Sequence, residues 1–128
     1  MKGGGGKMKF NDNLPIYIQI MNLTKKRIII GELKEGEKLP SVRELSIELK
    51  VNPNTIQRSY QELEREDLVF TQRGTGTFVT EDKNIIHELK NNMAASIVGE
   101  FLKDMKSLGF NGKEIIDLIN EKGGEKGE

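Results

Sequence analysis

Asn54, Thr55, Gln57 and Arg58 fall within five consecutive residues, and each carries groups able to bond a base edge or a phosphate. Asn and Gln amides match the N6/N7 edge of adenine, Arg matches O6/N7 of guanine, and a Thr hydroxyl serves either partner. Arg43 lies upstream in a segment of its own. Downstream, Arg73-Gly74-Thr75-Gly76 sets a cation among glycines that permit close backbone approach. Donors repeated in this way suit a long polyanion with readable edges, which is double-stranded DNA. Other chemistries find little to work with. No serine or carboxylate stands beside a suitable base in a catalytic arrangement, so an enzyme is not expected. His87 is the only histidine and cysteine is absent, so neither a metal site nor a cofactor is expected. Asp82, Glu88, Asp104 and Asp117 are scattered and read as solvated helix faces. The Arg73-Gly74-Thr75-Gly76 run is no phosphate-binding P-loop, because no Gly-Lys-Ser/Thr follows it.

These side chains need elements to aim them. Ser41 and Glu44 have the spacing of a capping box, so a helix is predicted to start after Ser41. Asn52 is a second cap with Pro53 at the first helical position, where its missing N–H is harmless. The helix opened there is expected over Pro53–Glu66, and Leu49-Lys50-Val51 joins the pair as a helix-turn-helix. Leu45, Leu49, Ile56, Tyr60 and Leu63 are its inward residues. An earlier helix is expected from Pro15, at its first helical position, to Ile30, with Ile16, Ile20, Leu23, Ile28 and Ile30 as its apolar positions. Glu32 to Glu37 reads as a turn. Val69-Phe70-Thr71-Gln72 and Thr77-Phe78-Val79-Thr80 flank the glycine tip as a hairpin, a wing beside the helix-turn-helix. Asp67 ends the second motif helix where a glycine would be easier.

From Asp82 to Ser107, Leu89, Met93, Ile97, Phe101 and Met105 recur at helical spacing, ending at Gly109. Asn111 and Glu114 start a last helix, with Phe110 and Ile115 as its hydrophobic staple and Ile119 further along. Two such helices enclose too little interior to bury both stripes, so Leu89, Met93, Ile97, Phe101, Met105, Ile115 and Ile119 are assigned to a homodimer face. Ala94, Ala95, Ser96 and Gly99 would let helices approach closely there.

The chain has 128 residues, with 20 Lys+Arg against 20 Asp+Glu, so any basic surface must be local. No apolar run approaches a membrane span, no secretory h-region is present, and the absence of cysteine suits a cytoplasmic protein. The organisation expected is a flexible leader over 1–9 that reads as an expression scar, a winged helix-turn-helix over 10–80, a two-helix dimerisation region over 81–121, and a flexible tail over 122–128. The fold class is mainly α with a small β-hairpin wing.

The order Leu39-Pro40-Ser41-x-Arg43-Glu44-Leu45 through Arg73-Gly74-Thr75-Gly76-Thr77-Phe78-Val79 resembles the GntR family of bacterial transcription regulators. The short two-helix end is similar to its YtrA subfamily; other branches carry large effector-binding or aminotransferase-like domains that this length cannot hold. The resemblance implies a repressor, with transporter operons as a common target. It places Arg43 near DNA, the recognition-helix start at Asn52, Asn54 and Thr55, and the wing tip at Arg73 and Gly74. Many members have arginine where this chain has Gln57, so their base preference does not transfer.

The function expected is therefore a dimeric DNA-binding regulator on a pseudo-palindromic operator, with Ser41, Arg43, Asn52, Asn54, Thr55, Gln57, Arg58, Arg73, Gly74, Thr75 and Gly76 at the DNA. Nothing in the residues identifies a small-molecule effector. The alternative is a winged-helix module that docks on a protein and never on DNA.

Overall fold

A computed structural model describes residues 10–123. The expected leader and residues 124–128 of the expected tail lie outside them. In chain order the elements are α1 (Ile16–Ile29), α2 (Val42–Leu49), α3 (Pro53–Arg65), β1 (Val69–Gln72), β2 (Gly76–Val79), α4 (Lys83–Ser107) and α5 (Gly112–Gly123). The chain divides into two compact units, residues 1–90 and 91–128, with α4 running from the first into the second.

α1 starts one residue later than its proline suggested. Pro15 has φ −55° and ψ 143°, an extended conformation, so it occupies the cap and not the first helical position. Its carbonyl accepts from the N–H groups of Ile18 and Gln19 at 3.1 and 3.3 Å. The buried stripe is Gln19, Ile20, Met21, Thr24 and Ile28, whereas Ile16 and Ile30, counted among its apolar positions, are exposed at the two ends. Two polar members of the stripe satisfy themselves, as burial demands. Thr24 donates its hydroxyl to the Ile20 carbonyl at 3.0 Å. Gln19 donates to the carbonyls of Asn11 and Leu14 and accepts from the Asn11 N–H, which pins the incoming chain.

α2 opens with the reciprocal cap. The Glu44 N–H donates to Ser41 Oγ at 3.0 Å, and the Ser41 N–H donates to Glu44 Oε1 at 2.9 Å. It closes on Lys50 in the left-handed region, φ 58°, without a glycine. Ser46 braces that turn through its hydroxyl, which donates to the Val51 carbonyl at 2.6 Å. α3 follows from Asn52, whose Oδ1 accepts from the Asn54 N–H at 2.7 Å, with Pro53 first in the helix. It ends at Arg65, and Asp67 makes the turn into the wing at φ 64°.

β1 and β2 pair antiparallel, with Val69 opposite Val79 and Gln72 opposite Gly76. The wing has a third row that the hairpin pattern did not announce. Lys38 bridges to Phe78, the Leu39 N–H donates to the Thr77 carbonyl at 2.8 Å, and the Val79 N–H donates to the Glu37 carbonyl at 2.9 Å. The segment leading into α2 is thus hydrogen-bonded to the wing. Gly76 beside it is constrained by its φ of 142°, and an added Cβ would lie 2.6 Å from Lys38 Cε, so the lysine chain would also have to move. Phe70 and Phe78 stack across the hairpin with centroids 5.6 Å apart.

The core of the first unit takes Ile20 from α1, Leu45 and Leu49 from α2, Ile56, Tyr60 and Leu63 from α3, and Val69 and Val79 from the wing. The five residues read as inward-facing in the helix-turn-helix are all buried. Tyr60 donates its hydroxyl to the Pro40 carbonyl at 2.7 Å, so its polar end is satisfied. Among the described residues no buried side-chain nitrogen or oxygen lacks a partner.

In the second unit α5 has its own capping box, with Glu114 N–H to Asn111 Oδ1 and Asn111 N–H to Glu114 Oε1, each 2.9 Å. It runs on to Gly123, so Lys122 and Gly123, assigned to the tail, are helical. Leu89 and Ile115, assigned to the dimer face, are already buried in the single chain at 9 % and 1 % exposure and have little surface to offer a partner. Ile97, Val98, Phe101, Ile116 and Ile119 are exposed, while Met93 and Met105 are intermediate. Phe101, Met105, Leu118, Ile119 and the rim residue Lys122 line a groove of about 200 Å³.

Candidate nucleic-acid interface

α3 has two unlike faces. Ile56, Ser59, Tyr60 and Leu63 are buried, while Asn54, Gln57, Arg58 and Gln61 are exposed at steps of three and four. The exposed face is a ladder of amides with one cation. Thr55 is half-buried at its edge. The buried face is anchored to α1 by Ser59, whose hydroxyl lies 3.0 Å from the carbonyls of both Tyr17 and Thr55.

Arg58 escapes the common fate of a surface arginine. Its guanidinium carbon lies 3.8 Å from the Tyr17 ring centroid, over the ring, and it forms no ion pair among the described residues. Glu62, the carboxylate one turn along, instead pairs with Arg65 at 2.8 Å. Arg43 and Arg73 are exposed, again with no ion pair among the described residues. All three arginines therefore keep their donors for another molecule.

The helix starts differ in what they leave open. At α3, Pro53 has no N–H, Asn54 is bonded to Asn52 Oδ1, and Thr55 and Ile56 both reach the Asn52 carbonyl. An anion at a helix start needs free N–H groups as well as the dipole, and the two starts differ in how many they leave. At α2 the Val42 and Arg43 N–H groups have no acceptor among the described residues. Capping also narrows two site assignments. Ser41 Oγ and Asn52 Oδ1 already accept backbone bonds, leaving the Ser41 hydroxyl proton and the Asn52 amide hydrogens to donate.

The wing is tied to α3 through β1. Glu64 accepts from the Thr71 N–H at 3.2 Å and from the Thr71 hydroxyl at 3.1 Å. Arg73, Gly74 and Thr75 form the exposed tip, with Gly74 at φ 77° making the turn and the Thr75 N–H closing back on the Gln72 carbonyl at 2.9 Å. Gly76, assigned to the tip, is half-buried in β2 beside Lys38.

Tyr17, Gln61 and Lys38 were missing from the sequence reading. Gln61 was legible, one turn beyond Gln57 on the same face. Tyr17 and Lys38 were not, because each meets its partner across a long separation in the chain. Among the described residues no group of His, Cys, Asp or Glu is placed to hold a metal ion. None of the described helices is long and apolar enough to cross a membrane.

Comparison with known proteins agrees with this geometry. The pattern of the bacterial regulatory proteins of the gntR family matches residues 16–79, from the start of α1 to the end of the wing. An uncharacterized HTH-type transcriptional regulator of Bacillus subtilis, YhcF, is 46% identical over 111 residues, covering 87% of this chain and 92% of its own. The B. subtilis HTH-type transcriptional repressor YtrA is 38% identical over 120 residues, 89% of this chain and 92% of its own. Among solved structures, a GntR family transcriptional regulator from Listeria monocytogenes superposes with a TM-score of 0.82 at 44% identity, covering 88% of this chain and 98% of that one. The AraR DNA-binding domain in complex with operator ORX1 superposes with a TM-score of 0.52 at 27% identity, over 57% of this chain and 89% of that one. These relatives are regulators, not enzymes. The winged helix-turn-helix, its unpaired arginines and these relatives together place the chain in the GntR family of bacterial transcriptional regulators, with a DNA-binding domain of that type.

Proposed function

We propose that this regulator is a cytoplasmic, dimeric repressor of a pseudo-palindromic operator. The observation that carries the reading is the exposed face of α3, where Asn54, Gln57, Arg58 and Gln61 form one row with no carboxylate bonded to Arg58. That row suits base edges in the major groove. Arg43, the free N–H groups at the start of α2 and the Asn52 amide hold flanking phosphates, and Arg73 at the wing tip reaches the adjacent minor groove. The AraR complex supports operator binding by a related domain, and YtrA supports repression. Two copies joined through the exposed Ile97, Phe101 and Ile119 present two such faces, hence two half-sites. A transporter operon is the target that the similarity to YtrA suggests. No effector is assigned.

Selection of bound duplexes from a random-sequence pool tests this directly. A sequence with two inverted half-sites is expected, bound with an affinity that falls steeply with salt. Arg43→Ala combined with Arg58→Ala is expected to lose most of the selected duplex's advantage over random duplex. Unchanged affinity in that double variant defeats the proposal, and weak salt dependence favours a protein-docking module instead.

A further inference from the structure

We propose that Tyr17, on α1 and outside the amide row, positions Arg58 to read a guanine. This rests on the base-reading role given to Arg58 above. Residues 58 and 59 of α3 both engage residue 17. Arg58 lies over the Tyr17 ring at 3.8 Å, and the fully buried Ser59 donates to the Tyr17 carbonyl at 3.0 Å. The backbone that carries the ring is therefore tied to α3 next to the residue whose cation lies over it.

Stacking restrains an arginine while leaving all of its donors able to read. A bidentate carboxylate partner would take two of the five in-plane N–H groups, in competition with guanine O6 and N7. A ring covers only the flat face of the guanidinium and leaves its edges free. The one carboxylate a helical turn away, Glu62, is engaged by Arg65. A long, rotamer-rich side chain is thus ordered before DNA arrives, and less freedom is lost on binding. Tyr17 is a positioning residue acting through Arg58.

The test uses the full chain, the duplex selected by the wild-type protein, and a random duplex. Tyr17→Leu removes the π face and is expected to weaken the selected duplex about three- to tenfold, within the ordering cost of one rotamer-rich side chain. Random-duplex affinity stays unchanged, and preference at one guanine relaxes. Tyr17→Phe keeps the face and behaves as wild type. In an Arg58→Ala background the Tyr17→Leu change has no further effect. An equal loss in both backgrounds, or an equal loss on random duplex, makes Tyr17 merely structural and overturns the proposal. So does wild-type binding by Tyr17→Leu while Arg58→Ala is impaired. If Arg58→Ala itself leaves the selected duplex unaffected, the base-reading role falls first. Should Tyr17→Leu not fold, NMR of the wild type and Tyr17→Phe decides: ring-current-shifted Arg58 δ-protons that persist on the selected duplex support the positioning role, and unshifted ones overturn it.

Discussion

Glu64 on α3 accepts both the backbone N–H and the hydroxyl of Thr71 on the wing, at 3.2 and 3.1 Å. One carboxylate thereby ties the first wing strand to the helix beside it. It also places a negative charge among groups proposed to meet phosphates. Both residues are exposed, so the contribution to stability is modest, and the effect to look for is on wing orientation.

Glu64→Ala is therefore expected to cost about 1 kcal/mol or less in chemical denaturation. Random-duplex affinity should rise as a repulsive charge is lost, while preference for the selected duplex falls as the wing loosens. Titrating both duplexes at one salt concentration checks this, and a parallel change in the two affinities would remove the wing-orienting role.

Tyr60 makes alkaline stability a readout of the core. Burial raises its phenol well above the ordinary value of about 10, with Glu44 and Glu48 adding to the effect and Arg27 opposing it. Above pH 10 the unfolded chain releases this proton and the folded chain retains it, so the free energy of unfolding falls as pH climbs. The contribution is complete below pH 10 and is lost as pH rises beyond it. Tyr60→Phe is expected to cost about 1 kcal/mol at neutral pH, through the unpaired Pro40 carbonyl, and to flatten the decline above pH 10. Denaturant melts from pH 8 to 11 compare the two slopes.

Asp67 turns the chain from α3 into the wing at φ 64°, a conformation that favours glycine. Asp67→Gly is expected to raise stability by roughly 0.5–1 kcal/mol, because relief of the left-handed strain outweighs the added freedom of the unfolded chain. Asp67→Ala is expected to lower it. A thermal melt in which the glycine variant is less stable than wild type would show that the aspartate side chain contributes more than its backbone costs.

The proposed dimer predicts a separable phenotype. Ile97→Asp and Phe101→Asp place charges at positions that are 68 % and 39 % exposed in the single chain, so each chain should still fold. Charges there should oppose burial against a second copy, leaving monomers in sedimentation that bind the selected duplex at least tenfold more weakly, since linked half-sites act at high effective concentration. A wild-type chain that sediments as a monomer at micromolar concentration removes this interface from the proposal.

Local chemistry determined much of this protein from sequence alone. The Ser41–Glu44 and Asn111–Glu114 boxes, the Asn52–Pro53 start, the glycine tip of the wing and the left-handed Asp67 all involve residues a few positions apart, where spacing dictates geometry. Helical period likewise separated the buried Ile56, Tyr60 and Leu63 from the exposed Asn54, Gln57 and Arg58. Tertiary structure decided what spacing could not reach. It placed Tyr17 under Arg58, seated Lys38 along the wing beside Gly76, and buried Leu89 and Ile115 within the single chain. A periodic pattern says that a face is apolar or polar, but which element covers that face, and which donors stay uncovered, follows only from packing the elements together.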